Sequence, residues 1–483
     1  EKIYISEKVA TPVLVEQSAA LPSFTMSSST SEEDASRALR NANKFSRQNA
    51  ALGAETTKFL GQMRLLLIGV RGAGVEIAKN CLLQGVADLT VYDPTPASIA
   101  DSGANFFIGS EDVGRPRDAV CRPRLQELNP EASVVVASVL DEALVGGMSC
   151  VVFCGAGSRA ELIRWNQFCR ERKSTDEQGE LVPAPISFIW SLCTGLAATI
   201  FVDHGDNFTI LDADGEKPLV RIVESISSEA RGLVRFTVPD GMPATSLPEA
   251  SRYKFTEVSG CVATSAFAAA ELGSDELNSA PPFPLEHLPG DPASSLRLGD
   301  TTKLTPYGGG GGLITEIKRP STKKFKSLAE RLEDPGSAFD DAGLVLTDYT
   351  FSGMETQQHA ALVAVLAFEK SNGRLPTPND PTDVKSCVDL CADADSKDFC
   401  AKYARHAAVE LQPVACFVGG LVAQEVVKRS GKYTPIDGFA HFSFFEVSSR
   451  KQGGQRTEPR SSSRDITTSE NSIFFSEISP PPP

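Results

Sequence analysis

The sequence predicts an α/β fold: a doubly wound, mainly parallel sheet that is interrupted by a small all-β insert and by a helical bundle. Two observations lead to this prediction. Short apolar strands alternate with helical segments from residue 45 to about residue 203, which is typical of a parallel sheet. This alternation then gives way to short strands with turns, and later to helical periodicity. With 483 residues, the chain is long enough for several hydrophobic cores.

The first α/β segment, residues 45–203, opens with a polar helix that ends near Leu60. An apolar strand follows, and a glycine turn leads from it into a helix whose apolar residues recur at helical spacing. The next strand ends at Asp93. Strands are predicted at residues 64–69, 88–92, 133–139, 150–154 and 185–190, and helices at residues 75–83 and 159–172.

The remaining segments have different patterns. Residues 204–317 predict the all-β insert, and residues 318–412 predict the helical bundle. Residues 413–447 hold an apolar helix and a strand that are expected to complete the first sheet, which would make the α/β domain discontinuous. Residues 1–44 and 448–483 are expected to be flexible, because they cannot bury enough apolar surface to become ordered.

Composition excludes several classes of protein. The chain carries 47 basic and 62 acidic residues, a net charge of −15, so nucleic acid is not expected as a partner. No apolar run reaches membrane-spanning length. The 11 cysteines lie mostly in apolar segments, as expected of reduced thiols in cores, and this favours the cytoplasm and nucleus. No metal site is predicted, because no cysteine or histidine cluster has metal-ligand spacing. Examples of these apolar cysteines are Cys81, Cys154, Cys193 and Cys416.

The strongest local motif is a glycine turn that follows the first strand and opens a helix. Gly69, Gly72 and Gly74 would let the backbone approach a phosphate at the helix amino terminus. Asp93, at the end of the next strand, could then bind a ribose hydroxyl. The alternative is that the glycines serve only tight turning and close helix packing, and Arg71 within the turn favours it.

A series of motifs in fixed order resembles the amino-terminal half of ubiquitin-activating (E1) enzymes of the ThiF/MoeB-like family. The resemblance implies an inactive adenylation domain in two parts, a first catalytic-cysteine half-domain at residues 204–317 and a four-helix bundle at residues 318–412. The matching motifs are Phe45-Ser46-Arg47-Gln48 with Leu52-Gly53, the glycine turn with residues 76–80, and residues 112–117, 125–129, 185–189, 208–218, 255–260, 325–328, 418–428 and 430–435.

The sequence departs from that family where an active site needs charge. Thr95 stands at the ribose position, Asp101 and Ala104 replace an Asn and an Arg, and Gly157 replaces the magnesium-binding Asp. Arg117 replaces the active Lys, and Arg71 replaces the middle glycine of the turn. The resemblance therefore implies a degenerate nucleotide site at Gly69, Gly72, Gly74 and Asp93, with ATP and Mg²⁺ bound by a partner half.

One catalytic residue is expected to survive. Arg47 matches the family arginine that reaches into the ATP site of the partner half. Cys193-Thr194 imitates the family's active-site pair but is expected to be structural, after a strand of the inactive half. The five histidines are given no catalytic role.

The expected function is that of a non-catalytic E1 half. It would pair with an active adenylation half, in the same chain or a separate one, and help to hold ubiquitin or a ubiquitin-like protein. Two alternatives remain: a regulatory subunit of a SUMO- or NEDD8-type E1, because residues 101–104 also resemble the SUMO-type subunit, and a Rossmann-type NAD-dependent oxidoreductase.

Overall fold

A computed structural model describes residues 44–155, 157–176, 179–238, 251–286, 288–292, 294–334 and 354–445. The predicted arm, apart from Lys44, and the predicted tail lie outside these described residues. The strands are β1 (Arg64–Ile68), β2 (Asp88–Tyr92), β3 (Ser133–Val136), β4 (Cys150–Cys154), β5 (Lys173–Thr175), β6 (Leu181–Pro183), β7 (Ser187–Thr194), β8 (Ala197–Asp203), β9 (Phe208–Ile210), β10 (Val220–Ile226), β11 (Leu233–Phe236), β12 (Arg252–Thr256), β13 (Phe283–Pro284), β14 (Ser295–Arg297), β15 (Leu313–Ile317), β16 (Ser321–Lys323) and β17 (Gly438–Ser443).

The α-helices of the described residues alternate with the strands in the first third of the chain and dominate after β16. They are α1 (Ser46–Leu52), α2 (Ala54–Leu60), α3 (Gly72–Leu83), α4 (Arg117–Leu128), α5 (Glu142–Gly146), α6 (Arg159–Glu171), α7 (Ala266–Leu272), α8 (Leu328–Glu333), α9 (Met354–Asn372), α10 (Pro381–Leu390), α11 (Lys397–Ala404) and α12 (Gln412–Lys428).

The central sheet has the strand order β17-β8-β7-β4-β1-β2-β3. Strands β3, β2, β1, β4 and β7 are parallel, and β8 and β17 are antiparallel to their neighbours. This confirms the predicted mainly parallel α/β fold. Because the chain passes from β1 outward to β2 and β3, then returns to β4 on the other side of β1, the carboxyl ends of β1 and β4 form a topological switch point.

The core of this sheet explains why its strands are apolar without alternation. β7 and β8 are buried along their full length, which requires cover on both faces. One core cluster joins α6 and α9 to the sheet through Trp165, Leu362 and Trp190. Helices α3 and α12 pack against each other, and α12 also packs against β7 and β8.

Several element boundaries differ from the sequence prediction. The predicted first helix is two helices, because Gly53 has φ +87° and ψ 149°, which a helix cannot contain. The strand predicted at 185–190 runs on to Thr194 and turns through Gly195, with φ +63°, into the antiparallel β8. The helix after the glycine turn begins at Gly72 rather than at residue 75, and β3 ends at Val136.

The final described segment pairs with a strand of the central sheet that lies more than 200 residues earlier in the sequence. β17 pairs with β8 in the register Gly438↔Val202, and α12 packs on α3. The close approach of these helices depends on Gly419, where a Cβ atom would lie 2.4 Å from the Cβ of Glu76. The α/β domain is therefore built from both ends of the described chain.

The segment between β8 and α12 holds a second sheet and a group of helices. Strands β13-β12-β15-β10-β11-β14 make a six-stranded antiparallel sheet with its own core, which includes Tyr253, Phe255 and Phe236. The short helix α7 lies between β12 and β13 in the chain, and the sequence analysis does not predict it. Helices α9, α10 and α11 then pack on one another. Within the described residues, no helix combines the length and apolar character needed to cross a bilayer.

Candidate functional site

The glycine turn lies at the switch point, between the carboxyl ends of β1, β2 and β4. The Gly69 N–H donates to the Tyr92 carbonyl at 2.9 Å, and Gly69 has φ +89°. A Cβ atom on Gly69 would lie 2.1 Å from the carbonyl oxygen of Cys154, so no larger residue fits there. Beside the turn is a cavity of ≈ 390 Å³ whose lining includes Arg71 and Arg117.

The other two glycines of the turn are also required by packing. A Cβ atom on Gly74 would lie 2.1 Å from the carbonyl oxygen of Gly69, and one on Gly72 would lie 2.7 Å from the Cβ of Ala104 and 2.9 Å from Oε2 of Glu410. The chain's own atoms thus account for all three glycines. Ala104, which stands where the resemblance implies an arginine, packs on the first residue of α3.

Asp93 follows β2 and faces the turn, and its carboxylate oxygens have internal partners. Its Oδ2 accepts the Val70 N–H at 3.0 Å, and its Oδ1 accepts the Thr95 N–H at 3.2 Å. The Arg117 guanidinium lies 3.5 Å from the same Oδ1. Asp93 is buried, and its own N–H donates to the carboxylate of Asp118 at 2.8 Å. Asp93 therefore holds the turn against β2 and α4.

A network of ion pairs surrounds the amino terminus of α3. Arg71 lies 3.7 Å from Asp101 and 3.8 Å from Glu410, and Arg117 lies 3.1 Å from Asp101. The N–H of Ala73, in the first turn of α3, donates to Oε2 of Glu410 at 3.2 Å. Burial alone would raise the pKa of Asp101, but hydrogen bonds from Ser98 and Arg117 hold it below its ordinary value. Asp101 is therefore ionised and forms ion pairs with both arginines.

Glu410 is the member of this site that the sequence analysis missed. It stands 337 residues after Ala73, in the connection between α11 and α12. Its side chain is only 4% exposed. No motif or spacing in the sequence signals such a contact, because it depends on how the bundle returns to the α/β domain.

Gly157, where the resemblance implies a magnesium-binding Asp, has no side chain to act as a ligand. Gly157 lines the cavity, and a Cβ atom on it would lie 2.9 Å from the Phe153 ring. Among the described residues, no group of three or more His, Cys, Asp or Glu side chains is arranged to hold a metal ion. Because a magnesium site needs oxygen ligands and the Gly157 position supplies no carboxylate, this position does not fit Mg²⁺.

Arg47 lies apart from the glycine turn. Its helix α1 is fixed by the Phe45 ring, which packs on Gly85, and by Gln48, whose side-chain amide donates to the Gln84 carbonyl at 2.8 Å. Both contacts are at the carboxyl end of α3, whose 12 residues span about 18 Å. Arg47 is exposed, and no hydrogen bond or ion pair joins its guanidinium to another described residue.

The cysteines are free thiols, and all but one are buried. Ten are buried, while Cys416 is exposed on α12, so its predicted core position was wrong. Cys193 lies inside β7 rather than after a strand, and burial raises its pKa well above the ordinary value. A buried thiol with a raised pKa is a poor nucleophile.

A glycine turn at the switch point of a parallel sheet is the architecture of a nucleotide-binding α/β domain, and here its charged groups are paired internally. The ThiF family model matches residues 45–145, and the model of the ubiquitin-activating enzyme E1 four-helix bundle matches residues 319–395. The chain is therefore a homologue of the E1 enzymes, with a ThiF-family domain and an E1-type bundle, which confirms the resemblance found in the sequence.

Curated relatives agree with this assignment. The chain is 31% identical over 414 residues to ubiquitin-activating enzyme E1 2 of Arabidopsis thaliana, covering 83% of this chain and 35% of that protein. It is 30% identical over 447 residues to human ubiquitin-like modifier-activating enzyme 1, covering 88% of this chain and 37% of the relative. Mouse ubiquitin-like modifier-activating enzyme 7 is 29% identical over 414 residues, or 83% and 38%. The chain thus spans little more than a third of the length of these relatives.

Proposed function

We propose that this chain is the non-catalytic half of a ubiquitin-activating enzyme. In this proposal it pairs with an active adenylation half, donates Arg47 to the partner's ATP site and supplies part of the surface that holds ubiquitin. ATP and Mg²⁺ bind to the partner half, where adenylation and thioester formation take place. The names of the relatives favour ubiquitin or a ubiquitin-like protein as the modifier.

The observation that carries the proposal is that the charged side chains around the chain's own glycine turn are paired with one another. Two guanidinium groups, of Arg71 and Arg117, face three carboxylates, of Asp93, Asp101 and Glu410. A bound triphosphate needs unpaired positive charge, and in this cluster the carboxylates outnumber the guanidinium groups by one. The side chains that replace the family's active residues therefore favour a vestigial site at Gly69, Gly72, Gly74 and Asp93.

The position of Arg47 supports a role in trans. Arg47 lies on α1, which contacts the carboxyl end of α3, and the length of α3, about 18 Å, separates that end from a phosphate at the amino terminus. Its exposed guanidinium, with no partner among the described residues, is free to enter a site on another domain. An arginine supplied from outside stabilises the charge of a transferring phosphoryl or adenylyl group without needing a pocket of its own.

The alternatives receive less support. In a dinucleotide oxidoreductase the acidic residue after the second strand binds the ribose. Here both carboxylate oxygens of Asp93 accept backbone N–H groups, and Arg117 adds an ion pair. A regulatory subunit of a SUMO- or NEDD8-type E1 would share the ThiF domain, and the names of the relatives favour the ubiquitin-type enzyme. The buried, reduced thiols suit a protein of the cytoplasm and nucleus.

The test is ATP–pyrophosphate exchange by a reconstituted pair. The chain is combined with the part of the Arabidopsis relative that it does not cover, and the exchange rate is measured with ubiquitin. Arg47→Ala should lower the rate by about tenfold or more, the value of a charge-assisted contact. Arg64→Ala removes another exposed arginine, at the start of β1, and should leave the rate unchanged. Equal rates for both variants would remove the role of Arg47.

A further inference from the structure

Glu410 is bound at the amino terminus of α3 in the manner of an anionic ligand. Its Oε2 accepts the Ala73 N–H at 3.2 Å, and its Oε1 lies 3.8 Å from the Arg71 guanidinium. The Cα of Gly72 is so close that a Cβ atom there would approach Oε2 to 2.9 Å. With 4% of its surface exposed, this carboxylate is shielded from water.

The physical reason for this arrangement is the unsatisfied positive end of a long helix. The first N–H groups of α3 have no partner within the helix, and its 12 aligned peptide dipoles place positive charge there. Arg71 adds a full positive charge. Such a terminus binds a phosphate or a carboxylate, and the two compete for the same N–H groups.

The connection that carries Glu410 is held on both sides. Before it, the Gly195 N–H donates to the Val409 carbonyl at 2.8 Å. After it, the side-chain amide of Gln412 donates to Glu76 on α3 at 2.9 Å. The carboxylate is thus delivered by a fixed segment, and its position does not depend on a mobile side chain at the surface.

We propose that Glu410 is a built-in anion that occupies the phosphate-binding end of α3, closes the vestigial site to polyphosphates and fastens the bundle to the α/β domain. This inference rests on the proposed function, because it explains what fills the site that ATP does not use. In this proposal the Glu410 carboxylate excludes polyphosphates, in addition to the loss of nucleotide-binding side chains at Thr95 and Gly157, and it can be removed by a single substitution.

The test is to remove the carboxylate and to offer inorganic pyrophosphate in its place. In Glu410→Ala, the α3 terminus and Arg71 lose their anion. The variant should bind pyrophosphate at least about tenfold more tightly than the unaltered chain by isothermal titration, and pyrophosphate should restore its lowered melting temperature. Arg71→Ala combined with Glu410→Ala should abolish the gained binding. Glu161→Gln, which removes a carboxylate from the wall of the cavity beside the turn, should gain none.

The outcomes separate this inference from the proposed function. A folded Glu410→Ala variant that gains neither affinity nor stabilisation from pyrophosphate would overturn the inference and leave the proposed function intact. If Glu410→Ala does not fold, Glu410→Gln serves instead: it keeps the shape and removes the charge, and pyrophosphate should again stabilise it more than the unaltered chain, with equal stabilisation counting against the inference. Tight pyrophosphate or ATP binding by the unaltered chain would contradict both proposals.

Discussion

The two adjacent glycines of α12 provide a test of how the discontinuous α/β domain is held together. At Gly419, a Cβ atom would lie 2.4 Å from the Cβ of Glu76 and 3.1 Å from its carbonyl carbon. At Gly420, nothing lies within 4 Å of the same position. Gly419→Ala must therefore push α12 away from α3, while Gly420→Ala meets open space.

The magnitude follows from two opposing terms. Replacing glycine by alanine inside a helix stabilises it by about 1 kcal/mol, and this term is the same at both positions. Overpacking against a neighbouring helix costs about 1–3 kcal/mol and applies only at Gly419. Gly420→Ala should thus raise the free energy of unfolding by about 1 kcal/mol. The free energy of unfolding of Gly419→Ala should be about 1–3 kcal/mol lower than that of Gly420→Ala.

The assay is urea unfolding followed by tryptophan fluorescence. The chain has two tryptophans, Trp165 on α6 and Trp190 on β7, and both lie in the core of the central sheet. The signal therefore reports the unfolding of the domain that α3 and α12 complete. Equal unfolding free energies for the two alanine variants would refute the claim that α12 packs tightly on α3.

Further predictions concern protonation and thiol reactivity. Burial lowers the pKa of His359 from 6.5 to about 4 and also lowers that of its neighbour His441. The unfolded chain then binds more protons below pH 6.5, so the shift at His359 by itself should lower the free energy of unfolding by about 3 kcal/mol between pH 6.5 and pH 4; His359→Gln should reduce the fall by about that amount in urea titrations, and an unchanged slope would argue against it. A thiol reagent should label only Cys416 in the native protein and all 11 cysteines after unfolding. Because partial burial and Glu76 raise the pKa of Cys416, its labelling rate should still be rising above pH 9; rapid labelling of a second thiol would contradict the buried arrangement.

The sequence predicts the bounds of a central strand correctly where burial of a short apolar run is enough to define the strand. β2 and β4 begin and end at the predicted residues: β2 runs from Asp88 to the residue before Asp93, and β4 is an apolar run between Ser149 and Gly155. The antiparallel strand β8 was missed, although the final strand was expected to complete the sheet. β8 is a fully buried apolar run that follows β7 directly after the turn at Gly195, so the sequence shows no polar alternation that marks it as a separate strand.

The glycine turn was predicted together with two interpretations, and its surroundings favour the packing one. The sequence analysis expected the Arg71 side chain to fill phosphate space, and the guanidinium lies beside Asp101 and Glu410. The pairing with Asp101 spans 30 residues and is partly visible in the sequence as a departure from the E1 pattern. The pairing of Arg71 with Glu410 is not visible in the sequence, because it depends on where the α11–α12 connection lies in the fold.

The central claim is that this chain supports adenylation without binding the nucleotide itself. Equilibrium dialysis against MgATP tests it most directly, with the chain alone and with the chain paired to the part of the Arabidopsis relative that it does not cover. The account predicts no saturable binding by the chain alone and a single bound nucleotide per pair. Two bound nucleotides per pair, or saturable binding by the chain alone, would contradict it.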